Sequence, residues 1–443
     1  MDNPPAPGAS GRSSRERFHG GPGGRWLAFV AGSLLLAVPA AAVQDPPQEP
    51  AHEPTLKELQ DRLAALEQQH EDTVFDLNFE IEGLRDEIAQ LQAKGATTTR
   101  RSNLFNPGIT VFGNFLARSD DTRVYVDDDP TADRVDDRFH LREFEVDFRA
   151  AIDPWADGVL IVAHEADAPG TTDTAIEEGY VTLKKLPVLD SAPGGLKVQV
   201  GRFRPGFGRF NQIHLHDLPQ PSYPASLGNF LGPEGWIDDG VSGQFFLPSP
   251  SDTQTLEATA AVLNGGGMPI ADGQDGSNLA VLGHVKWFAD LGLGKNVEVG
   301  VSGLQSDVDH RLLGADATYK WKPADAGEWE SFLIGGELFQ ADLNEAGLAG
   351  DPLGYYLWSQ YQFSRNTYVG VRYDRKEELA DSSMVTDTYG VYATHYTTEF
   401  LRLRLGAEHA DSDVSVLDGR DTLMLEINLI FGSHPVEPYW VNR

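Results

Sequence analysis

Two histidines one residue apart, His214 and His216, stand beside Asp217 in a stretch that also holds Arg202, Arg204 and Arg209. On an extended chain, residues two apart share a face, so both imidazoles can reach one metal ion, with Asp217 or Asp239 adding oxygen. Two imidazoles do not complete a zinc site, which takes about four ligands, so polar packing within a loop is the other reading. The arginines make this stretch locally basic in a chain whose formal charge is -32, from 67 acidic and 35 basic residues. Such a balance excludes a general nucleic-acid binder, which needs a basic footprint. Elsewhere His140, His310, His409 and His434 are scattered and receive no role. The run Asp127-Asp128-Asp129 with Asp133 reads either as a calcium-binding loop or as solvated charge. No G-x-S-x-G, H-E-x-x-H or P-loop sequence occurs, so no enzyme is expected.

The elements that must position these residues read as strands. Phe144, Val146 and Phe148 alternate with Glu143, Glu145 and Asp147, and Leu401, Leu403 and Leu405 alternate with Arg402 and Arg404. Leu423, Leu425, Ile427 and Leu429 continue the pattern near the C-terminus. A period of two puts one set on each face of a strand. No apolar run after the N-terminal stretch reaches the roughly 20 residues of a membrane helix, so a membrane would be crossed by strands. Strand windows fall near 108–117, 138–150, 158–166, 176–185, 195–203, 240–247, 255–264, 277–288, 296–305, 311–321, 329–340, 353–363, 366–374, 385–397, 399–408 and 420–431. That is about sixteen, an even number whose lengths suit a transmembrane antiparallel β-barrel. Tight turns at 364–365 and 398 alternate loosely with long links such as 119–137 and 264–277. Tyr355, Tyr356, Trp358, Tyr361 and Phe363 suit an interfacial girdle.

Parity assigns the lumen Glu143, Glu145, Asp147 and Arg149 from one strand and Arg402 and Arg404 from another. It sends Val297, Val299, Val301, Val281, Val285 and Trp287 to lipid, leaving Glu298, Ser302, His284 and Lys286 inside. A lumen of mixed sign suits a water-filled pore, unless its charges pair and plug it. No one-sided ladder of lysines or arginines forms, so strong anion selectivity does not follow. Alternation breaks over 201–248, where Gly201, Pro205, Gly206 and Gly208 mark a tight turn. A segment of this length and composition is predicted to fold into the lumen and narrow it.

The N-terminal part reads differently. Arg12, Arg15, Arg17 and Arg25 precede an apolar stretch from Trp26 to Val38 and then Ala40-Ala41-Ala42. This order predicts a secretory signal peptide over 1–42, with an uncleaved anchor as the other reading. A linker rich in proline and acid follows over 43–54. Leu56, Leu59, Leu63 and Leu66, then Leu77, Ile81, Leu84, Ile88 and Leu91, give a coiled-coil seam within 55–95, interrupted by a stutter. Its length is roughly 50 Å if helical throughout. It reads as an oligomerisation stalk or as a helix folded back on its own domain. The chain has no cysteine, so disulfides and thiolate metal sites are excluded.

The order G-R-F, G-F-G, Asn211, His214-x-His216, Pro219, F-L-G and D-G-V over 201–241 resembles outer-membrane barrels linked to zinc uptake. The arrangement of signal peptide, coiled coil and barrel resembles the phosphate-selective porin family. The first resemblance implies Asn211, His214 and His216 at a metal or solute contact. The second implies an inward loop with a basic constriction at Arg202, Arg204 and Arg209. The chain departs from these patterns in lacking a basic ladder and in ending Tyr439-Trp440-Val441-Asn442-Arg443 rather than on phenylalanine. The expectation is therefore an all-β outer-membrane porin, 96–443, exported through the secretory pathway and assembled as a homotrimer in lipid. It would pass small hydrophilic or ionic solutes past Glu143, Glu145, Arg402, Arg404 and the loop arginines. It would carry no cofactor, with zinc as a transported or bound ion. A metal- or anion-specific uptake receptor and a structural envelope tether are the alternatives.

Overall fold

The computed structural model describes residues 57, 63, 107–125, 134–135, 138–168, 171–186, 193–266, 268, 270, 279–306, 310–323, 329–345 and 348–432. The chain divides into two compact units, Met1–Leu91 and Gln92–Arg443. In the first, Lys57 and Leu63 are helical. The expected signal peptide, the linker and the rest of the coiled coil lie outside the described residues, as do Asp127–Asp129, Asp133 and the C-terminal 439–443.

The second unit is a closed antiparallel barrel of 16 strands. They are β1 Gly108–Asp120, β2 Arg138–Asp153, β3 Ala156–Ala168, β4 Thr171–Leu183, β5 Lys197–Phe203, β6 Asp238–Leu247, β7 Gln254–Leu263 and β8 Ala280–Gly292. The second half comprises β9 Lys295–Ser306, β10 Arg311–Trp321, β11 Ser331–Glu345, β12 Leu353–Ser364, β13 Thr367–Glu377, β14 Val385–Thr398, β15 Leu401–Ser412 and β16 Arg420–Gly432. Each of the sixteen expected windows holds one of these strands. Closure comes from β1, which pairs with β16 from Thr110↔Gly432 to Asp120↔Thr422 and with β2 on its other side. Each of the sixteen strands thus has a paired neighbour on both sides and the cylinder has no edge strand, which is what a hydrocarbon environment demands.

The outward side chains are the apolar members of each alternation. Val301, Leu405, Leu425 and Val391 are exposed, while their neighbours Ser302, Arg404, Met424 and Tyr392 are buried inside. Two-residue turns at 154–155, 293–294, 365–366 and 399–400 lie at one end of the barrel, the end where β1 begins and β16 finishes. Trp155, Phe363, Phe400 and Phe431 are exposed near that end. Tyr355, Tyr373 and Tyr389 form a contiguous row nearer the other end, with ring centroids 5.9 and 5.2 Å apart. These two aromatic levels bound an apolar belt, the geometry of rings at lipid–water interfaces. The end opposite the short turns carries the long links 204–237 and 264–279.

Candidate functional site

Residues 204–237 turn into the lumen and touch its wall on opposite sides. The inward turn is made at Gly208, whose φ of 59° is left-handed. There the N–H of Gly208 donates to Ser302 Oγ at 2.9 Å, and those of Arg209 and Phe210 donate to Glu337 Oε1 at 3.0 and 2.7 Å. A Cβ at Gly208 would lie 2.2 Å from Glu337 Oε2, so glycine is required by both backbone and space. Beyond the turn, Phe207, Phe210, Leu227, Phe230 and Trp236 are fully buried against Leu263, Leu282, Leu304, Leu312, Phe339 and Tyr356. Phe230 stacks on Phe339 at 5.6 Å, and Phe210 packs on Tyr356 at 5.3 Å. The inner faces of β7 to β12 thus carry leucines and aromatics beside the Glu298, Ser302, His284 and Lys286 that parity places there. The reason is that the loop, not water, covers them. Inward glycines make room for it: a Cβ on Gly314 would meet Phe207 at 2.6 Å, and one on Gly354 would meet Phe230 at 2.5 Å. The short helix α1, Ala225–Leu231, sits here with its first N–H groups donating to Asp374.

The other side of the lumen holds the loop through charge. The stretch His216–Pro224 contains three prolines and makes few bonds of its own, so its carbonyls need donors from elsewhere. Arginines of the wall supply them. Arg402 donates to His216 O and Arg404 to Leu218 O, while Arg142 reaches Pro221 O and Arg372 reaches Ser222 O, each at 2.7 Å. Glu426, fully buried on β16, binds three of these guanidiniums: Arg142 at 3.0 Å, Arg402 at 3.3 Å and Arg404 at 2.6 Å. Arg402 and Arg404 therefore face the lumen as expected, but their donors are engaged by the loop and Glu426. Arg142 was hidden in the sequence because strict parity would send it to lipid. Arg142 is itself the extra residue of a bulge in β2, skipped where Asn114 pairs with Glu143 and Phe115 with Leu141, and the bulge turns it inward.

A third contact joins acids and imidazoles. Glu143 and Glu145 project inward from β2, and Glu177 and Glu178 do so from β4. Two adjacent glutamates share one face because β4 has a bulge where Ile161 opposes Glu178 and Val162 opposes Ile176. His214 Nδ1 lies 3.2 Å from Glu145 Oε1 and 3.5 Å from Glu177 Oε1, and its Nε2 lies 2.8 Å from Glu178 Oε1. His216 Nδ1 lies 3.5 Å from both Glu143 Oε2 and Glu145 Oε1. Its ring stacks on Phe112 at 4.2 Å. Arg204 is buried and bonded to Glu177, while its Nε lies 3.8 Å from Glu178. Burial alone would lower the pKa of both imidazoles. The carboxylates of Glu145 and Asp217 nonetheless raise His216 to about 10, and those of Glu177 and Glu145 hold His214 well above the usual histidine range.

The remaining sequence candidates divide. Asn211 is fully buried, but its amide donates to Pro205 O and Trp236 O and its Oδ1 accepts from Trp236 N–H, so it braces the loop away from the imidazoles. Asp217 lies behind His216, 3.8 Å from Nε2. Arg202 shares the outward parity of Val198 and Val200 and pairs at 3.5 Å with Asp239 on β6, so neither lines the lumen. Arg209 is inside, bonded to Glu298. Arg149 is largely exposed and bonded to Asp147 at 2.7 Å. Beneath the inward turn lies a polar cavity of about 230 Å³, bordered by Gln199, Arg209, Gln212, Glu257, Lys286 and Glu298.

No family model matches the chain. A protein of Aquifex aeolicus (strain VF5), described only as uncharacterised, is 25% identical over 348 residues, covering 68% of this chain and 70% of its own. Among solved structures, OprB of Pseudomonas putida in its high-pH form superposes with a TM-score of 0.52 at 12% identity, covering 76% of this chain and 97% of OprB. OmpF of Salmonella typhi, in complex with daunomycin, gives 0.48 at 12% identity, over 74% of this chain and 98% of OmpF. At these identities the likeness is one of fold: the chain is built as a closed antiparallel barrel of the kind seen in OprB.

Proposed function

We propose that the protein is an outer-membrane channel through which small hydrophilic or ionic solutes diffuse past a constriction formed by residues 204–237. The observation that carries this reading is a barrel with an apolar belt outside and a long loop held inside by polar contacts. The belt and its two aromatic levels support residence in lipid. The basic, apolar and small-residue order of 1–42 supports export through the secretory pathway. The leucine seam within 55–95 supports assembly as a homotrimer. The arginines favour neither sign of solute, since Arg402 and Arg404 are engaged by Glu426 and loop carbonyls.

Planar-bilayer recording of the purified chain tests the reading. Discrete conductance steps are expected, larger when 209–231 is replaced by a short glycine–serine link. A folded, heat-modifiable barrel that gives no steps in either form would sink it. Chemical cross-linking should yield a three-chain species that disappears when 55–95 is deleted. If that deletion instead detaches the envelope and leaves permeability unchanged, the tether reading replaces assembly as the role of the N-terminal segment.

A second reading, an uptake receptor specific for a metal ion, is favoured by one observation. Glu145, His214 and His216 bring their ligand atoms within 4.8 Å of one another inside the barrel.

A further inference from the structure

We infer that Glu143 and Glu145 of the wall and His214 and His216 of the loop form a four-ligand site for a divalent transition-metal cation of the zinc type. The inference deepens the uptake-receptor reading and is independent of whether the barrel conducts.

The spacing is the first support. A cation bound at about 2.0–2.2 Å to four ligands in a tetrahedron holds those ligands about 3.3–3.5 Å apart. Glu145 Oε1 lies 3.2 Å from His214 Nδ1 and 3.5 Å from His216 Nδ1, and Glu143 Oε2 lies 3.5 Å from His216 Nδ1. Three of the six edges of such a tetrahedron are thus already in place, and Glu145, His214 and His216 converge within 4.8 Å of one another.

Unused bonding capacity is the second. Glu143 Oε2 and His216 Nδ1 make no hydrogen bond, although their residues are only 7% and 3% exposed. Buried polar atoms of a finished site are normally paired, and these two face each other across the same small space.

The groups behind the ligands are the third. Glu178 accepts from His214 Nε2 at 2.8 Å, so a cation that displaces the Nδ1 proton would meet a lone pair aimed at the site. Asp217 lies on the Nε2 side of His216, and Phe112 fixes the plane of that ring. A carboxylate behind a ligating imidazole is the arrangement that orients histidines on metals. Glu177 is a less suitable ligand because Arg204 is bonded to it. Once the cation has displaced the imidazole protons, two carboxylates and two neutral imidazoles carry a charge of minus two, matched to a divalent cation.

The metal would cross-link loop to wall, since two ligands come from each. The test uses the full chain, purified in detergent, stripped with a chelator and titrated with Zn²⁺ by calorimetry. One saturable zinc per chain is expected. Glu145→Gln should weaken it by roughly a hundred-fold, and Glu178→Gln, behind His214, by roughly ten-fold. Asp239→Asn, on the outer face, should leave it unchanged. Heat-modifiable mobility on gels establishes that each variant retains its barrel. If the Glu145 variant fails to fold, zinc X-ray absorption on the wild type decides: a shell containing two imidazoles is expected. No saturable zinc in the wild type, equal affinity in the folded Glu145 variant, or a shell without imidazole overturns the site. A chain that conducts but binds no zinc defeats this inference alone, and one that binds zinc but never conducts defeats the diffusion reading alone.

Discussion

The two sides of the lumen seat one loop by opposite means. From β7 to β12 the wall offers leucines, aromatics and vacant glycine positions, and the loop answers with Phe207, Phe210, Phe230 and Trp236. From β13 through β16 and on to β4 the wall offers arginines and glutamates, and the loop answers with carbonyls and two imidazoles. Apolar contact is non-directional and rewards area, so the first side determines how firmly the loop sits. Charged hydrogen bonds are directional, so the second determines where each residue of 214–222 lies. A loop that must present His214 and His216 at fixed distances needs both.

Substitutions can separate the two contributions. The largest effect is expected from Glu426→Gln, which leaves three buried guanidiniums short of their shared carboxylate. It should cost about 3–5 kcal/mol in urea unfolding of the barrel and loosen 216–222 to protease. If the midpoint does not move, the charged side contributes no more than position. On the apolar side, Phe230→Ala should cost about 3–5 kcal/mol by leaving a cavity against Phe339, with 214–222 still held to the arginines. Crystallography or loop-specific proteolysis distinguishes this local slackening from release of the whole loop. Gly354→Val is milder, overpacking the Phe230 seat by about 1–3 kcal/mol, and should be partly rescued when combined with Phe230→Leu. The smallest effect belongs to Arg202→Ala, which breaks an exposed outer-face pair with Asp239. It should shift stability by about 0–1 kcal/mol and leave conductance unaltered. A changed conductance there would place Arg202 on the solute path, against its parity.

Strand identity was legible because lipid on one face and protein or water on the other enforce a period of two, and all sixteen windows express it. The inward parity of Glu143, Glu145, Arg402 and Arg404 followed from the same rule. Legibility failed where a strand gains a residue. Arg142 and the pair Glu177-Glu178 violate alternation, and a bulge reconciles them with an apolar outer belt. That conflict was itself a signal, since an arginine or a second glutamate directed at lipid is costly. The inward leucines at 263, 282, 304 and 312 carried no such signal. Their meaning depends on a partner distant in the chain, which alternation cannot name. For the same reason Asn211, adjacent in sequence to the histidines, proved to brace Trp236 instead of joining them.

The contacts that seat the loop join residues far apart along the chain: 186 positions separate His216 from Arg402, and 212 separate it from Asn428. Their partners lie on β15 and β16, the last two of the described barrel strands, and β16 also closes the seam with β1. The charged part of the loop's seat is therefore complete only once the β15–β16 hairpin is in place, whereas its apolar part on β7 to β12 needs no such closure. The seam that shuts the cylinder is thus also the latch that holds its plug.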